Sequence, residues 1–352
     1  MKVAVLIPAL NPNEALLSYV DELIDAGFQN IIVIDDGSRD EYRYIFSAIS
    51  DKPGCSVLKH VVNLGKGRAL KTGINHYLAT KKDEIGLISV DSDGQHLCKD
   101  VVRVAKEMEE KKGVFLGCRN FSLQNVPPKS KFGNKLTRVL FRFLYGMKIS
   151  DTQTGLRGFS NEILAEFLDL SGERFEYETN VLIAISRRHI PLYEVPIETV
   201  YVNNNSETHF NPIRDSVKIY RVLFGEFLGY SIGALSSFGV DIVAFYLLSM
   251  LFGSFQNTEM ILIATFGARF LSSVYNYFIN CKYVFKSKEK PVRTILKYYT
   301  LCVVQTCCSA MLLSLINRYI AFSLVGMKIV VDTVLFLVSF QIQKHWVFKQ
   351  SK

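Results

Sequence analysis

No two cysteines in this chain stand at Cys-x-x-Cys spacing, although seven are present, at positions 55, 98, 118, 281, 302, 307 and 308. A zinc site built on such pairs is therefore not expected. Three of the seven fall in an apolar stretch, where cysteine serves as a small hydrophobe, and nothing suggests a disulfide framework. The opening run KVAVLIPAL is too short and wrongly flanked for a signal peptide, so the N-terminal half is expected to stay in the cytoplasm. Charge is scarce in the second half. Gly229 to Phe252 holds one charged residue, Asp241; Met260 to Ile279 holds one, Arg269; Tyr298 to Ile316 holds none; Ile329 to Gln343 holds one, Asp332. These runs are apolar all round rather than striped, which argues against four helices of a soluble bundle. Segments of about 20 apolar residues are membrane spans. The expectation is four spans, near 229–252, 260–280, 296–316 and 327–347.

Where charge does occur, its sign is informative. The 352-residue chain has a formal net charge of +8 and is too long for one hydrophobic core. Lys282, Lys286, Lys288, Lys290, Arg293 and Lys297 follow the second span. Arg214, Lys218 and Arg221 precede the first, and Lys344, Lys349 and Lys352 follow the fourth. Gly253 to Glu259 carries no Lys or Arg. Positive loops mark the cytoplasmic side. Both termini are then cytoplasmic, in an integral protein of the cell membrane. Because the positive charge gathers beside the spans, nucleic acid is set aside as a partner and the lipid bilayer is preferred. NPIRDSVKIYRVLFGEF mixes basic and apolar residues at helical spacing and reads as an interfacial helix over 213–228. The membrane domain is then 229–352. Within it, NYFINCKYVFK (Asn276–Lys286) resembles SFQIQKHWVFK (Ser339–Lys349) at an offset of 63 residues. The offset carries Arg269 onto Asp332, and Arg269 is expected to pair with Asp332 or Asp241.

Residues 1–212 read differently. Short β-branched runs at Val3–Ile7, Asn30–Ile34, Ser56–Val62 and Ile85–Val90 alternate with helical segments. That pattern is α/β, with a doubly wound, mostly parallel sheet. Ligands of such sheets bind beyond the carboxyl ends of the strands. Polar clusters at Pro8–Glu14, Asp35–Ser38 and Asp91–Gln95 all lie at such ends. The last is the densest: ISVDSDGQH ends a strand with two carboxylates two residues apart. Asp91-Ser92-Asp93-Gly94 makes an ordinary turn, or Asp91, Asp93 and Gln95 form an oxygen site for Mg²⁺ or Mn²⁺. Such ions use one or two carboxylates plus substrate phosphates.

Taken in order, IPALNPNE, VIDDGS, VDSDGQH, GCRN and DTQTGLRGF resemble a family 2 glycosyltransferase of GT-A fold. Within that family they resemble the polyprenyl-phosphate glycosyltransferases, a group that includes the dolichol-phosphate mannose synthases. The second half resembles the GtrA-like four-helix membrane domain. The two resemblances cover nearly the whole chain. They imply a nucleotide-sugar donor, a polyprenyl-phosphate acceptor and a Mg²⁺ or Mn²⁺ cofactor. Pro8 and Glu14 match the first donor loop, and Asp36 the carboxylate that reads the base. Lys66, in NLGKG, suits a diphosphate or is a solvated surface lysine. Asp91, Ser92, Asp93 and Gln95 match the donor and metal motif. Arg119 and Lys131 match the basic cluster that holds the lipid phosphate. DTQTGLRGF supplies Asp151, Gln153 and Arg157. Asp151 is the candidate general base or an orienting group, since a phosphate monoester is already ionised near neutral pH. Glu176 and Glu178 lie near the acceptor or form an acidic helix start. His209 closes over the donor phosphates or is structural.

The implied reaction is inverting transfer of a hexose from a nucleotide sugar, UDP-glucose or UDP-GlcNAc being favoured, to undecaprenyl phosphate. GDP-mannose-dependent synthesis of dolichol-phosphate mannose is the alternative. A lipid-linked sugar flippase with a regulatory soluble half is a rival kept open by Asp241, Arg269 and Asp332. A processive polysaccharide synthase is excluded: its Gln-x-x-Arg-Trp motif cannot occur where the sole tryptophan is Trp346. The sequence is compatible with a homo-oligomer packed through the membrane helices, but no feature demands one.

Overall fold

The computed structural model describes residues 1–121, 128–198, 214–251, 258–287, 289–319 and 324–349. The predicted site residue His209 and the short loop after the first span fall outside them. The chain divides into two compact units, Met1–Leu223 and Phe224–Lys352.

The first unit alternates strands and helices: β1 (Val3–Ala9), α1 (Ala15–Asp25), β2 (Ile31–Asp35), α2 (Arg43–Ser50), β3 (Cys55–Lys59), α3 (Lys66–Thr80), β4 (Gly86–Ser89), α4 (Cys98–Glu110) and β5 (Val114–Arg119). It continues with α5 (Pro128–Tyr145), β6 (Arg157–Ser160), α6 (Asn161–Leu168), α7 (Glu176–Arg188) and β7 (Leu192–Ile197). The seven strands form one sheet in the order β3-β2-β1-β4-β6-β5-β7. All neighbours are parallel except β6, which runs antiparallel to β4 and β5. The expected α/β, mostly parallel sheet is therefore present. Its central strands are near-continuous apolar runs because helices cover both faces: all of β1 and β2 is buried. Reversing β6 has a consequence for the site. Arg157, at the start of β6, pairs with Ser89 at the end of β4, so the DTQTG loop before it reaches the same sheet edge as Asp91.

One strand ends earlier than expected. β3 stops at Lys59, and Val61, Val62 and Leu64 are exposed rather than paired. The cause is His60. It turns inward to bond Asp36 through Nδ1 (2.7 Å) and Thr72 through Nε2 (3.0 Å), which draws the chain off the sheet.

The second unit is helical. α8 (Arg214–Leu251) runs 38 residues without a break, so the helix expected over 213–228 is continuous with the first span. At 1.5 Å per residue it is about 57 Å long, well beyond a hydrocarbon core of about 30 Å. The basic turns at Arg214–Arg221 thus extend past the apolar stretch. α9 (Thr258–Ile279), α10 (Pro291–Tyr319) and α11 (Leu324–Ile342) follow. Among the described residues three helices, α8, α10 and α11, are long and apolar enough to cross a membrane. In α9, Arg269 and Asn276 dilute the apolar run.

The internal repeat has a structural counterpart. α9 and α11 both end in a π-helical turn, Asn280–Val284 and Gln343–Val347. Asn280 Nδ2 donates to Gln343 Oε1, its counterpart 63 residues on, at 3.1 Å. Phe285 stacks on its counterpart Phe348 at 5.5 Å between ring centroids. Gln343 Nε2 in turn donates to Tyr230 Oη (3.3 Å) and Ser339 Oγ (3.2 Å). Asn280→Ala is expected to cost about 1–3 kcal/mol by leaving buried amide groups unpaired. Thermal denaturation in detergent checks this, and an unchanged midpoint would show the pair contributes nothing. Of the two partners expected for Arg269, Asp241 is the one met, at 3.7 Å. Asp332 pairs instead with Lys328, one turn earlier on its own helix, at 3.0 Å.

Candidate active site

The polar residues at the carboxyl edge of the sheet fall into three connected groups. The first ties the loops after β1, β2 and β3 together. Asn11 adopts φ +47°, rare for a side-chain-bearing residue. Its N–H donates to Ser38 Oγ (2.9 Å), and its Oδ1 accepts from the Arg39 N–H (3.0 Å). Glu14 accepts from Tyr44 Oη at 3.0 Å, while Pro8 is buried inside β1. Asp36 is 4% exposed. Its Oδ1 takes the Leu64 N–H (3.0 Å) besides the His60 bond, and its Oδ2 takes the Gly65 N–H (2.8 Å). The carboxylate is thus spent on shaping the turn into α3, and a base would meet it only if those bonds opened. Gly65 sits at φ +104°, where a side chain would be strained and would strike the Glu173 carbonyl.

That turn places Lys66 as the first residue of α3 and sends it into the second group. Lys66 Nζ bridges Asp91 Oδ1 (2.7 Å) and Glu178 Oε2 (3.0 Å). It is not the solvated surface lysine that its sequence position allowed. Arg157 donates to the Glu178 carbonyl (2.9 Å) and lies 3.8 Å from its carboxylate. Asp91 Oδ2 faces His96 Nε2 at 3.5 Å. Gly155 of DTQTG lies so close that an added Cβ would stand 2.0 Å from Asp91 Oδ2, so only glycine lets this loop cover the carboxylate. Burial raises the Asp91 pKa, but Lys66 and His96 outweigh it and hold the carboxyl well below the usual range. Lys66 is affected in the opposite sense: burial disfavours its charge, yet Asp91 and Glu178 hold it above the ordinary lysine value. Asp93 is raised, first by burial and then by the Asp91 charge. Its Oδ1 accepts from the Gln95 N–H at 3.1 Å.

The third group belongs to Arg119, at the end of β5. Its Nε and Nη2 form a fork on Asp151 Oδ2 (2.7 Å) and Oδ1 (3.2 Å). Asp151 is fully buried and also takes the Gln153 N–H at 3.0 Å. A carboxylate held this way orients Arg119 and has no oxygen turned to a substrate. Nearby, buried Asn134 of α5 donates to the Ser150 carbonyl (2.9 Å) and accepts the Thr152 N–H (3.1 Å), fastening α5 to the DTQTG loop. Gln153 is exposed beside Gly133 of α5, and Lys131 is exposed on the same helix. Glu176 turns back to cap its own loop, accepting the Glu173 N–H at 3.2 Å. Glu178 is therefore the one of the pair that enters the site.

Two features went unread in the sequence. His96 is buried beside Asp91, and its Nδ1 has no hydrogen-bond partner among the described residues. Its only signal was adjacency to the DSDGQ turn. On α5, Phe132, Leu136, Val139 and Phe143 form an exposed apolar stripe. Lys131, Lys135, Arg138 and Arg142 repeat one residue before each. The i, i+4, i+7, i+11 spacing is that of an amphipathic helix, and it was legible in principle.

The residues present suit a hard divalent cation. Among the described residues no group of three His, Cys, Asp or Glu side chains could hold a metal ion. The donors are two carboxylates from one turn, with Gln95 beside them. An ion that completes its shell with substrate phosphates needs no more. The Asp91–Asp93 repulsion is what such a cation relieves.

Residues 4–168 match the family described as Glycosyl transferase family 2, and residues 229–348 match the GtrA/DPMS transmembrane domain. The chain is 33% identical over 228 residues to an uncharacterized protein of Methanocaldococcus jannaschii, covering 63% of this chain and 90% of that one. It is 28% identical to the UDP-N-acetylglucosamine–dolichyl-phosphate N-acetylglucosaminyltransferase of Methanococcus voltae, covering 62% of this chain and 93% of that one. It is 23% identical to a dolichyl-phosphate beta-glucosyltransferase of Trichomonas vaginalis, over 55% of this chain and 64% of that one. With its mostly parallel sheet, its edge of carboxylates and cations, and its apolar helices, the chain belongs to glycosyl transferase family 2 and carries a GtrA/DPMS transmembrane domain.

Proposed function

We propose that this protein transfers a hexose, with inversion, from a nucleotide sugar to a polyprenyl phosphate at the cytoplasmic membrane face. The product is a polyprenyl-phosphate sugar for cell-envelope glycosylation. The observation that carries the reading is that Lys66, held between Asp91 and Glu178, and Arg119, oriented by Asp151, stand at one sheet edge. With a divalent cation on Asp91 and Asp93, Lys66 would meet a nucleoside diphosphate, and Arg119 would meet a second phosphate. The relatives' acceptors support the polyprenyl phosphate, and their sugars support glucose or N-acetylglucosamine carried on UDP.

In this reading an oxygen of the lipid phosphate attacks the anomeric carbon. The new C–O bond forms as the bond to the nucleoside diphosphate breaks on the opposite face. Arg119, aimed by Asp151, holds the acceptor phosphate, with Lys131, Gln153, Arg157 and Glu178 around it. Lys66 at the start of α3 meets the donor diphosphate. Pro8, Glu14, Asp36 and Ser92 shape the nucleotide pocket. Asp91, Asp93 and Gln95 would hold Mg²⁺ or Mn²⁺, which would supply charge neutralisation for the leaving diphosphate. The phosphate nucleophile is already ionised, so positioning and charge stabilisation carry the rate. The apolar stripe of α5 supports contact with the bilayer that holds the acceptor. The repeat of α9 in α11 supports α9 as a fourth span, and the flanking basic residues support a cytoplasmic position for both termini.

The test is purified protein with Mg²⁺ or Mn²⁺, polyprenyl phosphate and a panel of radiolabelled UDP- and GDP-sugars. Label is expected to enter the lipid extract from one UDP-hexose. Label from GDP-mannose alone would instead identify a dolichol-phosphate mannose synthase. Folded protein that labels no lipid from any donor would overturn the reading.

A further inference from the structure

Lys66 holds a position that a bound cation would contest. Its ammonium lies between Asp91 and Glu178, with side chains only 18%, 26% and 14% exposed. A divalent ion on Asp91 would sit about 2.1 Å from a carboxylate oxygen. An ammonium on the same oxygen would then stand about 4 Å from that ion, two like charges in a partly dehydrated site. Asp91 cannot turn aside to serve both, because Gly155 packs against its carboxylate and His96 faces its other oxygen. Glu178 can keep the ammonium when Asp91 is taken, since it is a second partner already in reach.

We propose that Lys66 is a placeholder for the divalent cation. It neutralises Asp91 and Glu178 in the empty site and moves onto the donor diphosphate as the cation takes Asp91. Cation and nucleotide then bind with positive coupling beyond that from their direct contact. Each removes a cost the other would bear: the cation frees Lys66, and the diphosphate gives it a new partner at the start of α3. This rests on the metal-binding reading above and adds an order to it.

The test is Mn²⁺ binding to the full-length protein in detergent, followed by the electron paramagnetic resonance of free Mn²⁺, with and without UDP or GDP. In Lys66→Met, Mn²⁺ alone is expected to bind about tenfold more tightly than to the parent, and the gain on adding nucleotide is expected to shrink by about tenfold. In Glu178→Gln the ammonium has only Asp91 left. Mn²⁺ alone is then expected to bind more weakly, and the nucleotide-dependent gain to grow. If Lys66 were only a diphosphate ligand, Lys66→Met would weaken nucleotide equally with and without Mn²⁺, and the unchanged coupling would overturn the proposal. Parent protein that binds no Mn²⁺ under either condition overturns the metal reading itself. Should Lys66→Met fail to fold, Glu178→Gln decides, because a coupling no greater than the parent's contradicts the exchange.

Discussion

Asp93→Asn is expected to raise the melting temperature of the ligand-free protein while abolishing sugar transfer. Asp93 is a half-buried carboxylate whose charge is opposed by burial and by Asp91. Asparagine keeps the shape and the bond to the Gln95 N–H while removing the repulsion. Relief of such a charge contributes roughly 1 kcal/mol, a shift of about 2–4 °C for a unit of this size. The pH dependence follows from the direction of the pKa shift. A carboxyl raised above its ordinary 3.8 binds its proton more tightly when folded. The parent therefore loses stability as pH rises through the window between 3.8 and the raised value, and the variant does not. The gain is full above that window and vanishes below it. Activity moves the other way, by about three orders of magnitude, the scale of losing ~4 kcal/mol of charge stabilisation at the leaving group. Melting curves across pH, set beside the lipid-labelling assay, check both. A variant that melts below the parent at neutral pH would sink the assignment of Asp93 as a repelled, half-buried charge.

Asp151→Ala is expected to be the most damaging single change in the catalytic unit. Asp151 is fully buried and Arg119 nearly so, with a side chain 15% exposed. Removing one partner of such a pair leaves a buried charge uncompensated, at about 3–5 kcal/mol. The double variant Asp151→Ala with Arg119→Met is expected to recover much of that loss, since no charge is stranded. Kinetics separate orientation from base catalysis. For Asp151→Asn, an orienting role predicts a KM for polyprenyl phosphate raised at least about tenfold, with the shape of the pH–rate profile unchanged. Loss of the acidic limb of that profile would restore Asp151 as the base.

The architecture was readable because its signals are periodic or local. The β-branched runs of β1 and β2 and the charge-poor stretches of α8, α10 and α11 each announce their solvent. The carboxylates of DSD lie at a strand end that the α/β pattern locates, whereas the arginine of GCRN was legible only through the family resemblance. What escaped the sequence was pairwise. Nothing linear says that Asp151 faces Arg119, 32 residues away, or that Glu178 rather than Glu176 reaches Lys66. The early end of β3 escaped for the same reason. Val61 and Val62 look like strand residues, and only the inward turn of His60 toward Asp36 takes them off the sheet. Nor did the sequence show that the helix over 213–228 runs on unbroken into the first span; a helix continues through a change of solvent when nothing in its backbone interrupts it.

Where Asn280 meets Gln343 and Phe285 meets Phe348, each residue touches its own copy from the other half of the membrane unit. Those positions form a seam where the repeat meets itself, and they have a peculiar history. If the halves arose by duplication, the same contact once joined two identical chains. A change in the ancestral residue then altered both sides of the contact at once. In the present chain the sides vary separately, so asparagine can face glutamine. Lys328 and Asp332, by contrast, align with Thr265 and Arg269, so away from the seam the halves have diverged in charge. On that account the scaffold has a shared seam and two flanks that are free to differ, as Arg269 and Asp332 do.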